Sequence, residues 1–366
     1  MAHVIVVGGG IAGLLTARRL HQAGARVTLL ERGRAPARES SWAGGGILSP
    51  LYPWRYDEAV TRLSLASQAH YPELCAELAK STGIDPQRLE SGLFIHAPDE
   101  IDPALAWARR HQQQVELLSA QAVAQREPAR HLPPGPMLWF PRIAQVRNPR
   151  LAKALIADLE RRGVTLRTHA EVVAIDTAPG RSPEVVLKEE RLSADRVVVC
   201  AGAWSARLLP QPLPIRPVRG QMLLFRTSPG LIRHMMLEAN RYIIPRRDGR
   251  VLFGSTLEEA GFEKRTTEQA RRELWEIACQ RFPALKEQPI EAHWAGLRPA
   301  SPAGIPFIGP VPGAPGLFVN AGHFRNGVVL GPASARLAAE LILEQTPFLD
   351  PAPYALDRPR PQDHEG

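Results

Sequence analysis

Length, composition and charge exclude several classes of protein. The 366 residues carry 45 Lys and Arg against 37 Asp and Glu, a net charge of +8, but no basic run is interleaved with aromatic residues, which argues against nucleic-acid binding. Cys75, Cys200 and Cys279 lie far apart without a C-x-x-C pair, so we expect no metal site, no disulfide framework and a reducing compartment such as the cytoplasm. No apolar run approaches the ~18 residues of a membrane span, and the chain starts with a core strand, so neither a membrane segment nor a signal peptide is expected.

Residues 4–32 predict a dinucleotide-binding unit. A β-branched strand leads into Gly8, Gly10 and Gly13, which form a G-x-G-x-x-G turn; a helix over Ile11–Gln22 and a second strand follow. The glycines allow a tight reversal, the approach of a pyrophosphate and close packing of helix on strand, while the helix N-terminus attracts the phosphate charge. Glu31, at the end of the second strand, is placed to accept bonds from ribose hydroxyls. This motif by itself leaves NAD and FAD as alternatives.

A second small-residue stretch lies in the long loop over residues 33–57. Its sequence, ESSWAGGGI over residues 39–47, sets hydroxyls beside glycines, which suits close approach to a phosphate or a flat ring. Residues 57–81 then follow a helical period, with Pro72 as a predicted kink or break. A short strand over 92–96, a helix over 102–114 and a strand over 137–140 come next.

The next segments are predicted to return to the first sheet. Asn148 and Pro149 are typical of an N-cap and a first helical position, and Gly163 ends that helix. Strands are expected over 164–168 and 171–176, followed by a hairpin-like region. The apolar run at 196–200 reads as a further strand of the nucleotide-binding sheet, so that sheet is built from segments distant in sequence.

The last part alternates strands with one helix before a second glycine turn. Four antiparallel strands are predicted over 221–226, 241–245, 250–255 and 290–297, with a hairpin turn at Asp248–Gly249. A helix over 267–282 crosses them. Residues 318–327 form a strand and a glycine turn that opens a helix to about residue 344. The proline-rich residues 347–366 are expected to form an extended tail.

These motifs, in this order, resemble one family over nearly the whole chain. They are GGGIAG, ESSWAGGGILSP, VVVCAGAWS, RPVRGQ, RYIIPRRDGRVLFGST, WAGLRPASPAGIPFIG and AGHFRNGVVLGP. The sequence resembles the glycine oxidases of thiamine biosynthesis, in the D-amino-acid oxidase superfamily. The resemblance implies an α/β (α+β) fold in which a substrate domain, built on a large antiparallel sheet, is inserted into a Rossmann-like FAD-binding domain. The FAD domain would comprise residues 1–80, 145–215 and 300–346, the substrate domain 81–144 and 216–299, and the tail 347–366.

The resemblance also assigns the cofactor contacts. FAD is implied rather than NAD, and its contacts fall on Gly8, Gly10, Ile11, Ala12, Gly13, Glu31, Arg32, Ser40, Ser41, Gly45, Gly46, Ile47, Val172, His323, Phe324, Arg325, Asn326, Gly327, Val328 and Val329. Related sarcosine oxidases attach FAD through a cysteine near the position of Leu297. The three cysteines here lie elsewhere, so FAD is expected to bind noncovalently.

Substrate binding is implied for Tyr242, Arg298 and Arg325. A substrate carboxylate requires a planar two-pronged donor, which arginine supplies. Arg298 follows an apolar strand, where an unpaired charge would be costly. For Arg325 two roles stay open, substrate binding and support of the flavin-binding turn. Asn240 and Leu257 are expected to flank the pocket.

The implied activity is oxidation of glycine, sarcosine or small D-amino acids to the imine or glyoxylate, ammonia and hydrogen peroxide. No general base is required if the amine binds neutral, and no metal is expected. Oxygen would be the second substrate, a thiazole synthase a partner, and a homotetramer the assembly. Two alternatives stay open at this point: a D-amino-acid dehydrogenase that passes electrons to a quinone, and a flavin-binding module without turnover.

Overall fold

The computed structural model describes residues 1–131 and 135–360. Its strands, in chain order, are β1 His3–Val7, β2 Arg26–Leu30, β3 Leu89–Glu90, β4 Leu93–His96, β5 Glu116–Leu118, β6 Met137–Phe140, β7 Ala144–Gln145, β8 Thr165–Arg167, β9 Ala174–Asp176, β10 Glu184–Val186, β11 Arg191–Ser193, β12 Arg196–Val199, β13 Arg216–Arg226, β14 Met235–Glu238, β15 Arg241–Pro245, β16 Arg250–Gly254, β17 Ile290–Ala300, β18 Phe307–Pro310 and β19 Leu317–Ala321. Its α-helices are α1 Ile11–Gln22, α2 Ser40–Ala43, α3 Glu58–Thr82, α4 Ile101–Arg110, α5 Ala120–Arg126, α6 Asn148–Arg161, α7 Glu268–Arg281 and α8 Gly327–Ile342.

A six-stranded sheet carries the first glycine turn. Its strand order is β18-β19-β12-β1-β2-β8, and all neighbours are parallel except β18 with β19. The central strand β1 is buried, as expected for a strand covered on both faces. Helices α1, α3, α6 and α8 share one hydrophobic core with the sheet. The prediction that distant segments rebuild this sheet is therefore confirmed.

An eight-stranded sheet forms the second layer, in the order β17-β13-β16-β15-β14-β4-β6-β5. Its neighbours are antiparallel apart from β14 with β4. Helix α7 packs against it, with Leu274 and Ala278 in the core. The mixed α/β class, with one mainly parallel and one large mainly antiparallel sheet, agrees with the sequence prediction. The domain boundaries stay predictions, and the part of the substrate domain at 132–134 lies outside the described residues.

Three local predictions differ from the structure. Helix α3 continues through Pro72, so this proline does not break it. Helix α6 takes Arg147 as its N-cap, and Asn148 is its first residue. The segment after α8 is not extended throughout: it has a 3-10 turn, and the buried Tyr354 donates its hydroxyl to the Ala59 carbonyl at 2.8 Å. Residues 361–366 of the predicted tail lie outside the described residues. No helix in the described ranges is long and apolar enough to cross a bilayer.

Candidate active site

A cavity of about 480 Å³ runs from the carboxyl ends of the parallel strands to the large antiparallel sheet. This is where ligands bind in open α/β sheets. Most residues predicted for the site line it: Gly8, Gly10, Ile11, Ala12, Glu31, Arg32, Ser40, Ser41, Gly45, Gly46, Ile47, Val172, Tyr242, Arg298, His323, Phe324, Arg325, Asn326, Gly327 and Val328. Two others, Gly13 and Val329, stand behind the wall; Val329 is a core residue of α8.

The first glycine turn has the geometry that its sequence predicts. Gly8 has a φ of +107°, and a Cβ there would stand 2.6 Å from the Cys200 carbonyl oxygen. A Cβ on Gly13 would stand 1.9 Å from the Gly8 carbonyl oxygen. Neither position therefore accepts a side chain without movement of the backbone. The Ile11 N–H, at the start of α1, donates to the Ser41 hydroxyl at 2.8 Å, which brings the second small-residue stretch to the phosphate-binding end.

Glu31 binds the backbone of the glycine turn. Its carboxylate accepts the Gly9 N–H at 2.9 Å and the Gly33 N–H at 2.7 Å, and it lines the cavity. Val172 also lines the cavity, and the strand expected over 171–176 begins only at Ala174. This difference leaves the backbone before β9 outside the regular strand and against the cavity.

Four side chains form a group at the rim of the cavity that we call the rim stack, and of these four sequence reasoning named only Arg32 as a site residue. The Arg32 guanidinium lies 3.7 Å from the centroid of the Trp204 ring, and Phe262 packs against that ring at 5.3 Å. The Arg207 guanidinium lies 3.8 Å from the Phe262 ring. Beside the stack, Lys264 pairs with Glu39 at 2.7 Å. Besides Arg32, Trp204 carried a sequence signal, because it lies within the AGAWS motif. Phe262 carried none, since it comes from the connection between β16 and α7.

The loop 44–47 is held closely from both sides. A Cβ on Gly45 would stand 2.5 Å from Ile244 Cδ1 and 3.2 Å from Tyr242 Cε2, on the antiparallel sheet. Gly46 has a φ of +80°, and a Cβ there would meet the Val146 carbonyl oxygen at 2.1 Å. The Asn148 side chain donates to the Ser41 carbonyl at 3.1 Å. The Asn148 side chain thus points to the loop, and Asn148 itself lies inside α6 behind Arg147, the N-cap residue.

The other end of the cavity brings Arg298, Tyr242 and Arg325 together. The Arg298 side chain is partly exposed to the cavity, but the protein buries its guanidinium, and this burial lowers its pKa. The neighbouring Tyr242 raises that pKa, and the positive charge of Arg325 lowers it. All three residues line the same end of the cavity, where Tyr242 and Arg325 lie close enough to Arg298 to influence its pKa. The grouping implied by the sequence motifs is therefore present in the fold.

Neutral groups hold the Arg298 guanidinium in place. Nη1 donates to the Thr256 and Arg219 carbonyls at 3.2 and 3.4 Å, and Nη2 donates to the Ser255 hydroxyl at 2.5 Å. A Cβ on Gly220 would stand 2.1 Å from Nη1, so a side chain there would displace the Arg298 guanidinium from this position. Within the described part of the chain Arg298 forms no ion pair. Sequence reasoning missed Ser255 and Gly220, although Gly220 lies in the RPVRGQ motif.

The second glycine turn closes the same cavity, at the start of α8. His323 is buried, and its Nε2 lies 3.1 Å from the Ser334 hydroxyl. Because Ser334 donates to the Gly331 carbonyl, it accepts the Nε2–H of a neutral imidazole. Burial lowers the pKa of His323 to about 4. The two positions expected to flank the pocket lie outside its wall: Leu257 is 50% exposed, and the Asn240 N–H donates to the Tyr52 hydroxyl.

Three buried polar atoms on the cavity wall find no hydrogen-bond partner among the described residues. They are Asn320 Oδ1, Arg325 Nε and Asn326 Nδ2. Buried polar atoms are rarely left unpaired, so these point to a polar ligand. With the helix N-terminus at Ile11, this donor set fits a dinucleotide. Gly44, Gly45 and Gly46 add a stretch of cavity wall without side chains, which a flat ring system can approach closely.

Comparison with known proteins identifies the family. The family model described as FAD dependent oxidoreductase, DAO, matches residues 3–341. This chain belongs to that family. Family membership makes FAD the cofactor and the protein an FAD-dependent oxidoreductase, and it confirms the resemblance to the D-amino-acid oxidase superfamily. The family's two-layer architecture is the one described above.

Individual members of the family are similar to this chain over most of its length. A glycine oxidase of Pseudomonas aeruginosa is 46% identical over 356 residues, which cover 96% of this chain and 98% of that protein. The crystal structure of glycine oxidase from Geobacillus kaustophilus matches with a TM-score of 0.93 at 29% identity, over 98% of this chain and 100% of that one. The bifunctional protein ThiO/ThiG of Trichormus variabilis is 31% identical over 93% of this chain but only 53% of its own length.

One cysteine lines the FAD cavity. Cys200 lies behind Gly8, at the end with the first glycine turn, and burial raises its pKa to about 12. A thiol with a raised pKa is a poor nucleophile, because the thiolate is the reactive form. The chemistry of Cys200 therefore agrees with the expectation of noncovalent FAD.

Proposed function

We propose that this FAD-dependent oxidoreductase oxidises glycine, and also sarcosine or small D-amino acids. The products would be the imine, or glyoxylate and ammonia after hydrolysis, together with hydrogen peroxide from oxygen. One observation carries the proposal: Arg298, whose anchors within the protein are all neutral, faces the cavity next to Tyr242 and Arg325. A cationic fork that forms no ion pair with the described residues is suited to a carboxylate ligand, although the charge of Glu258 raises its pKa. The glycine oxidase of Pseudomonas aeruginosa supports glycine as the amino acid.

The residues at this end bind and orient the substrate. Arg298 holds the carboxylate, Arg325 adds a second positive charge through its unpartnered Nε, and the Tyr242 hydroxyl donates from the side. FAD, when bound, accepts the hydride from the substrate Cα. The protein therefore contributes orientation and electrostatics. No side chain is assigned as a general base, since none is required if the amine binds neutral. For Arg325 we favour the substrate role, since it lines the cavity beside Arg298 and its positive charge lowers the pKa of Arg298.

The pocket at this end suits a small substrate. Met222 fills space beside Tyr242, with its sulfur 3.7 Å from the hydroxyl, and Ile244 packs where a side chain on Gly45 would stand. Met222 and Tyr242 are buried at 2% and 8% exposure. These side chains limit the volume next to Arg298, so glycine fits better than an amino acid with a long side chain.

The residues at the other end would hold FAD noncovalently. The amides at Gly10, Ile11 and Ala12 suit the pyrophosphate, and Glu31 suits the ribose. The remaining predicted contacts follow along the cavity: Arg32, Ser40, Ser41, Gly45, Gly46, Ile47, Val172, His323, Phe324, Arg325, Asn326, Gly327 and Val328. Gly13 and Val329 support this wall from behind. The N-terminus of α8 adds a partial positive charge at the flavin end.

A place in thiamine biosynthesis is supported by the fused relative. The bifunctional ThiO/ThiG protein joins a segment like this chain to a second protein in one polypeptide. We therefore propose a thiazole synthase as partner and supply of the glycine imine as the role, in the cytoplasm and as a homotetramer. Light scattering tests the tetramer, and co-sedimentation with a thiazole synthase tests the partner. A monomer, or no association at micromolar concentrations, contradicts the respective proposal.

A substrate panel tests the activity. The FAD-loaded protein is assayed with glycine, sarcosine and D-alanine while oxygen uptake, peroxide and ammonia are recorded. We expect turnover with matched oxygen uptake and peroxide. The Arg298→Met variant should lose it, while Arg226→Met, at the exposed end of β13, should not. Absence of turnover with bound FAD contradicts the proposal, and reduction of a dye without oxygen uptake favours the dehydrogenase.

A further inference from the structure

A second arginine with only neutral partners lies behind the wall of the cavity. Arg246 directly follows β15 and is 8% exposed. Its Nη2 donates to the Gly45 carbonyl at 2.7 Å, and its Nη1 donates to the Val146 carbonyl at 3.0 Å and to Gln145 Oε1 at 2.5 Å. Its Nε is buried and finds no acceptor in the described ranges. All three acceptors are uncharged, so the guanidinium is bound but not neutralised.

The surrounding charges do not compensate Arg246. The neighbouring carboxylate, Asp248, is already shared by Arg147 at 2.7 Å and Arg250 at 2.9 Å. Burial and the positive charge of Arg147 lower the pKa of Arg246 to about 9, and the charge of Asp248 offsets only part of this lowering. At neutral pH Arg246 is therefore still protonated. A buried charge without a counter-ion is costly. Its presence in the fold therefore indicates that the electric field of Arg246 serves the function of the protein.

The position of Gly45 directs this charge toward the catalytic end. The Gly45 carbonyl accepts from Arg246, while the other side of Gly45 lies against Tyr242 and Ile244. Gly45 and Tyr242 both line the cavity. Arg246 thus lies directly behind Gly45, which forms the cavity wall at the end where the substrate would bind. In the protein interior the interactions between charges reach further than in water.

We propose that Arg246 is a positioning residue that holds the loop 44–47 and, through its positive charge, raises the reduction potential of the bound flavin. A hydride accepted by the flavin adds negative charge, which a nearby fixed cation stabilises. This role concerns the cofactor alone and does not depend on which amino acid is oxidised. It differs from the role of Arg298, whose fork faces the substrate.

The test measures the reduction potential of FAD-loaded protein against a reference dye at pH 7, without substrate. Arg246→Met should lower the equilibrium constant for two-electron reduction about tenfold, which corresponds to about 30 mV. Arg246→Lys keeps the charge and should retain most of the potential. Gln145→Met removes one acceptor without changing any charge, so it should lower the melting temperature but leave the potential unchanged.

The outcomes separate an electrostatic role from a purely structural one. The proposal is overturned if Arg246→Met keeps the wild-type potential, or if Arg246→Lys and Gln145→Met lower it as much as Arg246→Met does. Should the Met variant fail to hold FAD, Arg246→Gln, which keeps an N–H donor toward Gly45, takes its place with the same expected shift. Because no amino acid is present, a failed substrate panel leaves this result unaffected.

Discussion

Replacement of Arg298 by lysine tests whether the guanidinium recognises a carboxylate. In the structure Nη1 is occupied by two backbone carbonyls and Nη2 by Ser255, so the group is anchored while its remaining N–H bonds stay free for a ligand. Lysine keeps the charge, but its single nitrogen does not replace both the anchors and the two-pronged contact. Loss of one charged hydrogen bond costs about 1.5–3 kcal/mol. Arg298→Lys should therefore weaken carboxylate binding about 10- to 150-fold.

The assay follows the flavin absorbance while acetate, a minimal carboxylate ligand, is titrated into FAD-loaded protein; the KM for glycine gives a second measure. Arg226→Lys is the matched control, because Arg226 is exposed at the end of β13. It should leave both values unchanged. If Arg298→Lys bound acetate as tightly as the wild type, Arg298 would not be the carboxylate anchor. Loss of FAD from this variant would likewise refute the reasoning, since it would place Arg298 among the groups that retain the cofactor.

Three further predictions concern the cofactor cavity. Gly13→Ala should abolish FAD retention on desalting, because the added carbon would stand 1.9 Å from the Gly8 carbonyl oxygen; a yellow variant would contradict this. Phe262→Ala, which breaks the rim stack, should speed FAD release several-fold, because the lost aromatic contact is worth about 0.5–1.5 kcal/mol. The control Leu257→Ala, half exposed on the same segment, should leave the release rate unchanged. Equal release rates for Phe262→Ala and the wild type would show that the rim stack does not retain FAD. Burial lowers the pKa of His323 from 6.5 to about 4. As the pH falls between these two values, the unfolded state binds a proton at His323 and the folded state does not. This difference lowers the free energy of unfolding by up to about 3 kcal/mol. His323→Gln should therefore lose less stability than the wild type between pH 7 and 4.5 in thermal unfolding, and identical losses would show that His323 is not responsible.

The site could be predicted from the sequence where its geometry is local. Gly8 and Gly13 are fixed by a turn of six residues between a strand and a helix, and the turn at 323–329 opens α8 in the same manner. In each case neighbouring residues set the backbone path, so spacing alone carries the information. The grouping of Tyr242 with Arg298 was available only from the family motifs, since nothing local joins two strands so far apart in sequence.

The other contacts of the site depend on packing between segments that are distant in sequence. Phe262 reaches Trp204, and Arg246 reaches Gly45, only because the two sheets meet along the cavity. Such contacts depend on the relative placement of whole layers, which no short window of sequence encodes.

The same limit explains the three local errors. Asn148 has the sequence of a helix cap, but its side chain bonds the Ser41 carbonyl from a distant loop. Pro72 sits within α3, where packing against α8 and α6 outweighs its lost hydrogen bond. Tyr354 lies in a proline-rich segment, yet the core around Ala59 buries it. Local spacing and hydrophobic pattern were thus enough to predict the dinucleotide-binding turn, whereas the fold class and FAD followed from the resemblance of the ordered motifs to a known family. The tertiary structure decided which side chains meet across the cavity, because burial and hydrogen bonding between distant segments outweigh local preference.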